Sequence, residues 1–292
     1  MNLFIAALFV LASTLFLLTT PADAGQVTLG SWQAQGSAVW RIAFPLGDNG
    51  TSAFGASELY YPQQGSFLTA RYETPQKQTG YFSVEGAYQP KIRSQTGTDI
   101  DWNYNQGQQP WYYGQFQTDG ASGYLTVNWH KPTGAGREIF YGYTYQNSNF
   151  QMTDGLYTIY DYQPVNTPLP ALQSSYNLSY QGPHIGTAVV KKISPAISLT
   201  GSVSYSPLAA VRGHGWWNLR DLDFVHTGLG QMVDTQVGIR YTLPKTTGSI
   251  TVGYRYQYLD IYKGEENTSA SITWEKAATV QHGIYMSGQY YF

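Results

Sequence analysis

The chain closes on Ile284-Tyr285-Met286-Ser287-Gly288-Gln289-Tyr290-Tyr291-Phe292. Side chains of a β-strand alternate between its two faces. Ile284, Met286, Gly288, Tyr290 and Phe292 therefore share one face, and Tyr285, Ser287, Gln289 and Tyr291 share the other. The first face suits lipid and the second suits water. An aromatic residue ends the chain with no polar tail. These features predict the closing strand of a bacterial outer-membrane β-barrel, which sets both the fold class and the compartment.

The same period recurs upstream. Ile250, Val252, Tyr254, Tyr256 and Tyr258 alternate with Thr251, Gly253, Arg255 and Gln257. Val233, Thr235, Val237, Ile239 and Tyr241 alternate with Asp234, Gln236, Gly238 and Arg240. A soluble sandwich also alternates, but its packed core does not accept Arg71, Glu85, Arg240 and Arg255 at mid-strand. In a closed tube these side chains face the lumen and pair across it. Ten strands are predicted, over 26–44, 57–73, 79–95, 121–131, 137–152, 183–194, 196–212, 231–243, 248–263 and 278–292. Short turns such as 73–76 and 243–246 are expected on the periplasmic side. Longer polar stretches (45–56, 96–120, 153–182, 213–230 and 264–277) are expected as extracellular loops. An antiparallel barrel of this size is largely filled by its own side chains, which argues against a diffusion pore and places function at the rim.

Composition agrees. Charged residues make up 12% of the 292 residues, about half the ~25% usual in soluble domains. Aromatics make up 16%, with 26 tyrosines and 8 tryptophans, as aromatic girdles require. Mean hydropathy is −0.31, too low for a bundle of membrane helices. A net charge of −2 gives no sign of a nucleic-acid partner. With no cysteine, disulfides and thiolate metal or redox sites are excluded. Residues 1–24 have the form of a cleavable signal peptide: an apolar run from Leu3 to Leu18, then Ala22-Asp23-Ala24 as a small-x-small cleavage site. No Lys or Arg precedes the apolar run, a departure from the usual pattern. The barrel is expected over 25–292.

Two stretches carry candidate chemistry. In Thr98-Asp99-Ile100-Asp101-Trp102, carboxylates at i and i+2 share a face of an extended segment. Close carboxylates raise the pKa of one of them, so such a pair can hold one proton and polarise a water. The bland alternative is two solvated loop acids beside a girdle Trp. The second stretch runs from His214 to His226 and includes Trp216, Trp217, Asp221 and Asp223. A His beside a carboxylate can serve as a general base, or join a metal site with Asp221 and Asp223. The simpler reading places Trp216 and Trp217 at headgroup level. Gly-x-Ser-x-Gly, His-Glu-x-x-His, P-loop and dinucleotide fingerprints are absent from any usable context.

Val27-Thr28-Leu29-Gly30, Ser57-Glu58-Leu59-Tyr60-Tyr61, Asp99-Ile100-Asp101-Trp102, Gly182-Pro183-His184-Ile185-Gly186 and Arg220-Asp221-Leu222-Asp223-Phe224 follow one another along the chain. In this order they resemble segments of the omptins, ten-stranded outer-membrane aspartyl-type endopeptidases: the first two resemble the start of their first strand and the opening of their second. The third resembles their Asp-x-Asp-Trp element, which carries one half of the active site, and the last two resemble two further segments. The resemblance implies an omptin-like barrel, a monomer surrounded by outer-membrane lipid or lipopolysaccharide, a peptide or protein substrate and no cofactor. It also implies an Asp-x-His pair just before the Arg220 segment. Counting back from Arg220 without gaps puts Gly215 at that Asp and Trp217 at that His. Half of the water-activating machinery is then missing, unless His214, one residue away, or His226 with Asp223 replaces it. The expected catalytic set is therefore Asp99, Asp101 and His214. The competing reading is a non-catalytic barrel that binds envelope or host-surface ligands through Tyr- and Trp-rich loops.

Overall fold

A computed structural model describes residues 25–46, 54–104, 109–269 and 271–292. The expected signal peptide lies outside the described residues. Ten antiparallel strands form one closed ring: β1 (Gln26–Pro45), β2 (Phe54–Glu73), β3 (Tyr81–Asn103), β4 (Pro110–Gly134), β5 (Arg137–Tyr160), β6 (Gln163–Lys192), β7 (Ile197–Trp217), β8 (Leu222–Thr242), β9 (Gly248–Glu266) and β10 (Thr273–Tyr291). The ring closes by pairing β1 with β10, from Gln26 opposite Tyr291 to Ala43 opposite Thr273. Every strand has 19 to 30 residues, about twice the ~10 needed to cross a membrane.

The extra length corrects the predicted loops. Most of 96–120, 153–182 and 213–230 is strand, and Asp161-Tyr162 alone joins β5 to β6. The physical reason is an inversion of polarity along each wall. Near the turns, apolar residues point out: Leu68, Phe82, Val127, Ile139, Ile185, Leu199, Ile239, Val252 and Ile284 are all exposed. Farther along, apolar residues point in. Leu172, Tyr176, Leu178 and Tyr180 are buried and alternate with the outward Gln173, Ser175, Asn177, Ser179 and Gln181. Polar outward positions looked like loop, but they are the wetted face of strands that rise above the apolar belt.

The interior follows the same division. In the rim half, Trp40, Tyr61, Phe116, Phe150, Tyr176, Tyr180, Phe224 and Trp274 are buried in one continuous core that fills the tube. Tyr61 stacks on Phe150 with ring centroids 4.6 Å apart. In the turn half the lumen is polar. Arg255 reaches Asp234 at 2.5 Å and, across the lumen, Glu85 at 3.3 Å. Its guanidinium also lies over the rings of Trp32 and Tyr124, at 5.0 and 4.6 Å. Arg71 contacts Glu73 and Glu85. Of the four mid-strand charges expected to pair, Arg240 alone has no carboxylate within ion-pair distance among the described residues.

Candidate functional site

Asp99 and Asp101 lie on the inward face near the rim end of β3, above the aromatic core, and not in a loop. Asp99 sits between Leu59 on β2 and Gly114 on β4. Gly114 leaves a gap at that point: a Cβ there would lie 3.4 Å from the Tyr157 ring and 3.6 Å from Cβ of Asp99. Asp101 lies between Ser57 and Tyr112. Burial pushes the Asp99 carboxyl well up from the usual carboxylate range, the Asp101 charge adds to this, and Arg220 opposes it. Burial also raises Asp101, against the Ser57 hydroxyl and Arg220. Two half-buried acids on one face thus tend to hold a proton, as expected for close like charges.

Arg220 comes from the opposite direction. It ends a short 3-10 turn, Asn218–Arg220, that joins β7 to β8, with Asp221 in the left-handed region (φ 52°). Its charge acts on Asp99, Asp101, Tyr112 and Tyr157, so it spans the mouth of the tube. Beside the acids stand three tyrosines. Tyr112 and Tyr160 have ring centroids 4.8 Å apart, Tyr157 and Tyr160 5.8 Å, and Tyr112 and Tyr157 6.1 Å. Tyr160 is half exposed. Sequence reasoning singled out none of these rings individually. The clustering of Tyr in 112–113 and 157–162 was the available signal.

His214 does not join this group. It points to the outer surface, 49% exposed, with Nε2 2.9 Å from Asp223. The cause is a bulge in β7. The register against β8 shifts between Ser206 and Ala209. Before it, odd-numbered Leu199, Val203 and Tyr205 face out; after it, odd-numbered Ala209, Val211 and Gly213 face in. Such a shift reverses the parity of every later residue. His214 is thus carried to the outside, and its placement with Asp99 and Asp101 is corrected.

The two positions aligned with the omptin dyad are closed to it as well. Gly215 faces inward, but a Cβ there would meet the Phe224 ring at 2.1 Å. Trp217 packs against the aromatic core, which corrects its expected headgroup position. His226 is sealed inside that core. Nδ1 is 3.1 Å from the Tyr176 hydroxyl, Nε2 is 2.8 Å from Glu266, and its ring stacks on Trp274 at 4.9 Å. Both nitrogens are engaged and no atom of its side chain reaches solvent, so it cannot activate a water. Asp223 is on the opposite surface with His214. No set of three or more His, Asp or Glu converges as metal ligands among the described residues.

Comparison with known proteins fits this architecture. A family model described as Pom, Protochlamydia outer membrane protein, matches residues 138–282. No curated protein sequence matches the chain. Among solved structures, the outer membrane protease OmpT of Escherichia coli superposes with a TM-score of 0.68 over 94% of this chain and 99% of that chain, at 11% identity. The translocator domain of the autotransporter NalP from Neisseria meningitidis gives a TM-score of 0.38 at 11% identity, covering 99% of this chain and 95% of that one. Ail of Yersinia pestis gives 0.30 at 8% identity, covering 92% and 99%. Neither of the latter two similarities bears on function. Fold, apolar belt and matches together identify the chain as an outer-membrane β-barrel, with a likeness to omptins that is structural.

Proposed function

We propose that this barrel binds a ligand at its rim and does not cleave peptides. The observation that carries the reading is the composition of the rim. Asp99, Asp101 and Arg220 adjoin three clustered tyrosines, tilted or edge-on to one another, with no imidazole among them. Aromatic faces and paired hydrogen-bonding groups suit a hydroxyl-rich ring: CH faces lie on tyrosine, and hydroxyls meet carboxylate and guanidinium. A glycan of the envelope or of a host surface has this chemistry. In this account residues 1–24 are removed as a leader, the rim faces outside the cell, the barrel is a monomer, and lipopolysaccharide surrounds its outer half.

The endopeptidase reading has one specific observation in its favour, the Asp99–Asp101 pair within an OmpT-like ring. It lacks a base. A positioned general base contributes typically ~10²–10⁴-fold to rate, and the three positions considered for one are turned outward, sealed or replaced.

Glycan-array screening of the folded barrel in nanodiscs, followed by calorimetry on the strongest binder, tests the proposal. Tyr160→Ala is expected to weaken binding about two- to twelvefold, since one aromatic contact is worth roughly 0.5–1.5 kcal/mol beyond its buried area. Binding unchanged by Tyr160→Ala and Asp101→Asn, or absent from the whole array, would remove the proposal.

A further inference from the structure

Below the aromatic core the lumen widens into a chamber of about 760 Å³. Its wall includes Gly25, Gln76, Gly134, Val190 and Tyr291, all at the strand turns or chain ends. The chamber therefore opens at the turn end, opposite the rim, and the core closes it from above. Its volume would hold about 25 waters at ~30 Å³ each, ample for a monosaccharide-sized solute.

The charges in the wall are unevenly satisfied. Glu73 and Glu85 are within ion-pair distance of Arg71, Asp234 is paired with Arg255, and Glu138 accepts from Tyr81 at 2.6 Å and contacts His130 at 2.9 Å. Arg137 and Arg240 also line the chamber, and neither has a carboxylate within that distance among the described residues. The Nε–H groups of Arg240 and of Arg71 are shielded from solvent and have no protein acceptor. A guanidinium with no carboxylate within ion-pair distance is free to hold an oxyanion through charge-assisted hydrogen bonds. Around Arg240 the wall offers hydroxyls: Thr251 is its β9 neighbour, and Thr200, Ser202, Ser287 and Tyr285 line the same chamber. Gly238, one inward position along β8, leaves the Tyr285 hydroxyl room, since a Cβ there would lie 2.6 Å from it.

We infer that the turn-end chamber is a second binding site, for a small polyol that carries one oxyanion, with Arg240 as its anchor. The oxyanion meets the guanidinium, and the hydroxyls meet the Ser, Thr and Tyr lining. Carboxylate and phosphate share this chemistry. The site faces away from the rim and does not depend on the rim's function.

Calorimetry on the folded barrel in detergent uses three probes: glucose 6-phosphate, glucuronate and glucose. At least one anionic probe is expected to bind at least tenfold more tightly than glucose, and the better of the two identifies the oxyanion. Arg240→Gln should abolish that preference, Arg240→Lys should retain part of it, and Lys263→Gln, a change at an exposed position, should leave it unchanged. Heat-modifiable gel mobility establishes that each variant is folded. If Arg240→Gln does not fold, Arg240→Lys and Thr251→Val carry the test, each expected to lower affinity severalfold. Anions bound no better than glucose, or a preference untouched by both Arg240 variants, would overturn the inference. So would a preference lost on Lys263→Gln, which would place binding outside the chamber.

Discussion

Replacing Arg255 with Met tests the closed, charged lumen. The guanidinium is nearly sealed and satisfies Asp234 and Glu85 while lying over Trp32 and Tyr124. Removing one partner of a buried ion pair costs typically 3–5 kcal/mol, because the other charge stays behind unpaired. Three remaining contacts soften the loss here. Glu85 keeps Arg71 at 3.6 Å and the Tyr124 hydroxyl at 2.5 Å, and Asp234 keeps the Gln257 amide at 2.6 Å. The two cation–π contacts, worth about 0.5–1 kcal/mol each even at exposed sites, add at least about 1 kcal/mol together. The expected destabilisation is thus about 3 kcal/mol. Urea unfolding of the barrel in short-chain lipid vesicles, followed by tryptophan fluorescence, measures it. Adding Asp234→Asn to Arg255→Met should recover at least about 1 kcal/mol, since the stranded charge is removed and the two sites are directly coupled. A loss below about 1 kcal/mol, or strictly additive effects, would refute a sealed charge network.

Further predictions concern the rim and the core. Asp99→Asn should stabilise the barrel at neutral pH. The folded carboxyl titrates above its unfolded value near 3.9, so wild-type stability falls as pH rises from about 4 through the folded value. The advantage of the variant should vanish below about pH 4, and parallel urea titrations at pH 3.5 and 7 check this. Gly215→Ala should cost about 1–3 kcal/mol through overpacking against Phe224, and less than that in a Phe224→Ala background in the same unfolding assay. Phe150→Ala should cost about 3–5 kcal/mol, as a buried ring truncated within the core. The wild-type barrel should show no steady conductance in planar bilayers, because that core closes the tube.

The membrane half was legible because lipid outside and water inside impose one polarity on period-two alternation, as in Ile250, Val252 and Tyr254. The rim half was not. Above the belt the alternation persists with reversed sign, so Leu172 to Tyr180 resembled a loop although each apolar residue packs inward. Asp99 and Asp101 were legible as a same-face pair, because i and i+2 on an uninterrupted strand end must point alike. His214 was not: Pro207 within the strand is the local mark of a bulge, but the reversal of the wall that follows shows only in the register. The tyrosine cluster comes from β4 and β5, forty-five residues apart from Tyr112 to Tyr157, and only the register brings it together.

Peptide hydrolysis by the lipid-reconstituted barrel tests the central claim most directly. Fluorogenic peptides containing basic residues would be incubated with wild-type protein and with Asp101→Asn and His214→Ala. A rim whose carboxylates have no imidazole predicts turnover indistinguishable among all three and from protein-free vesicles. Cleavage by the wild type that disappears in Asp101→Asn would contradict it, and a further loss in His214→Ala would mean that the outward histidine reaches the acids after all.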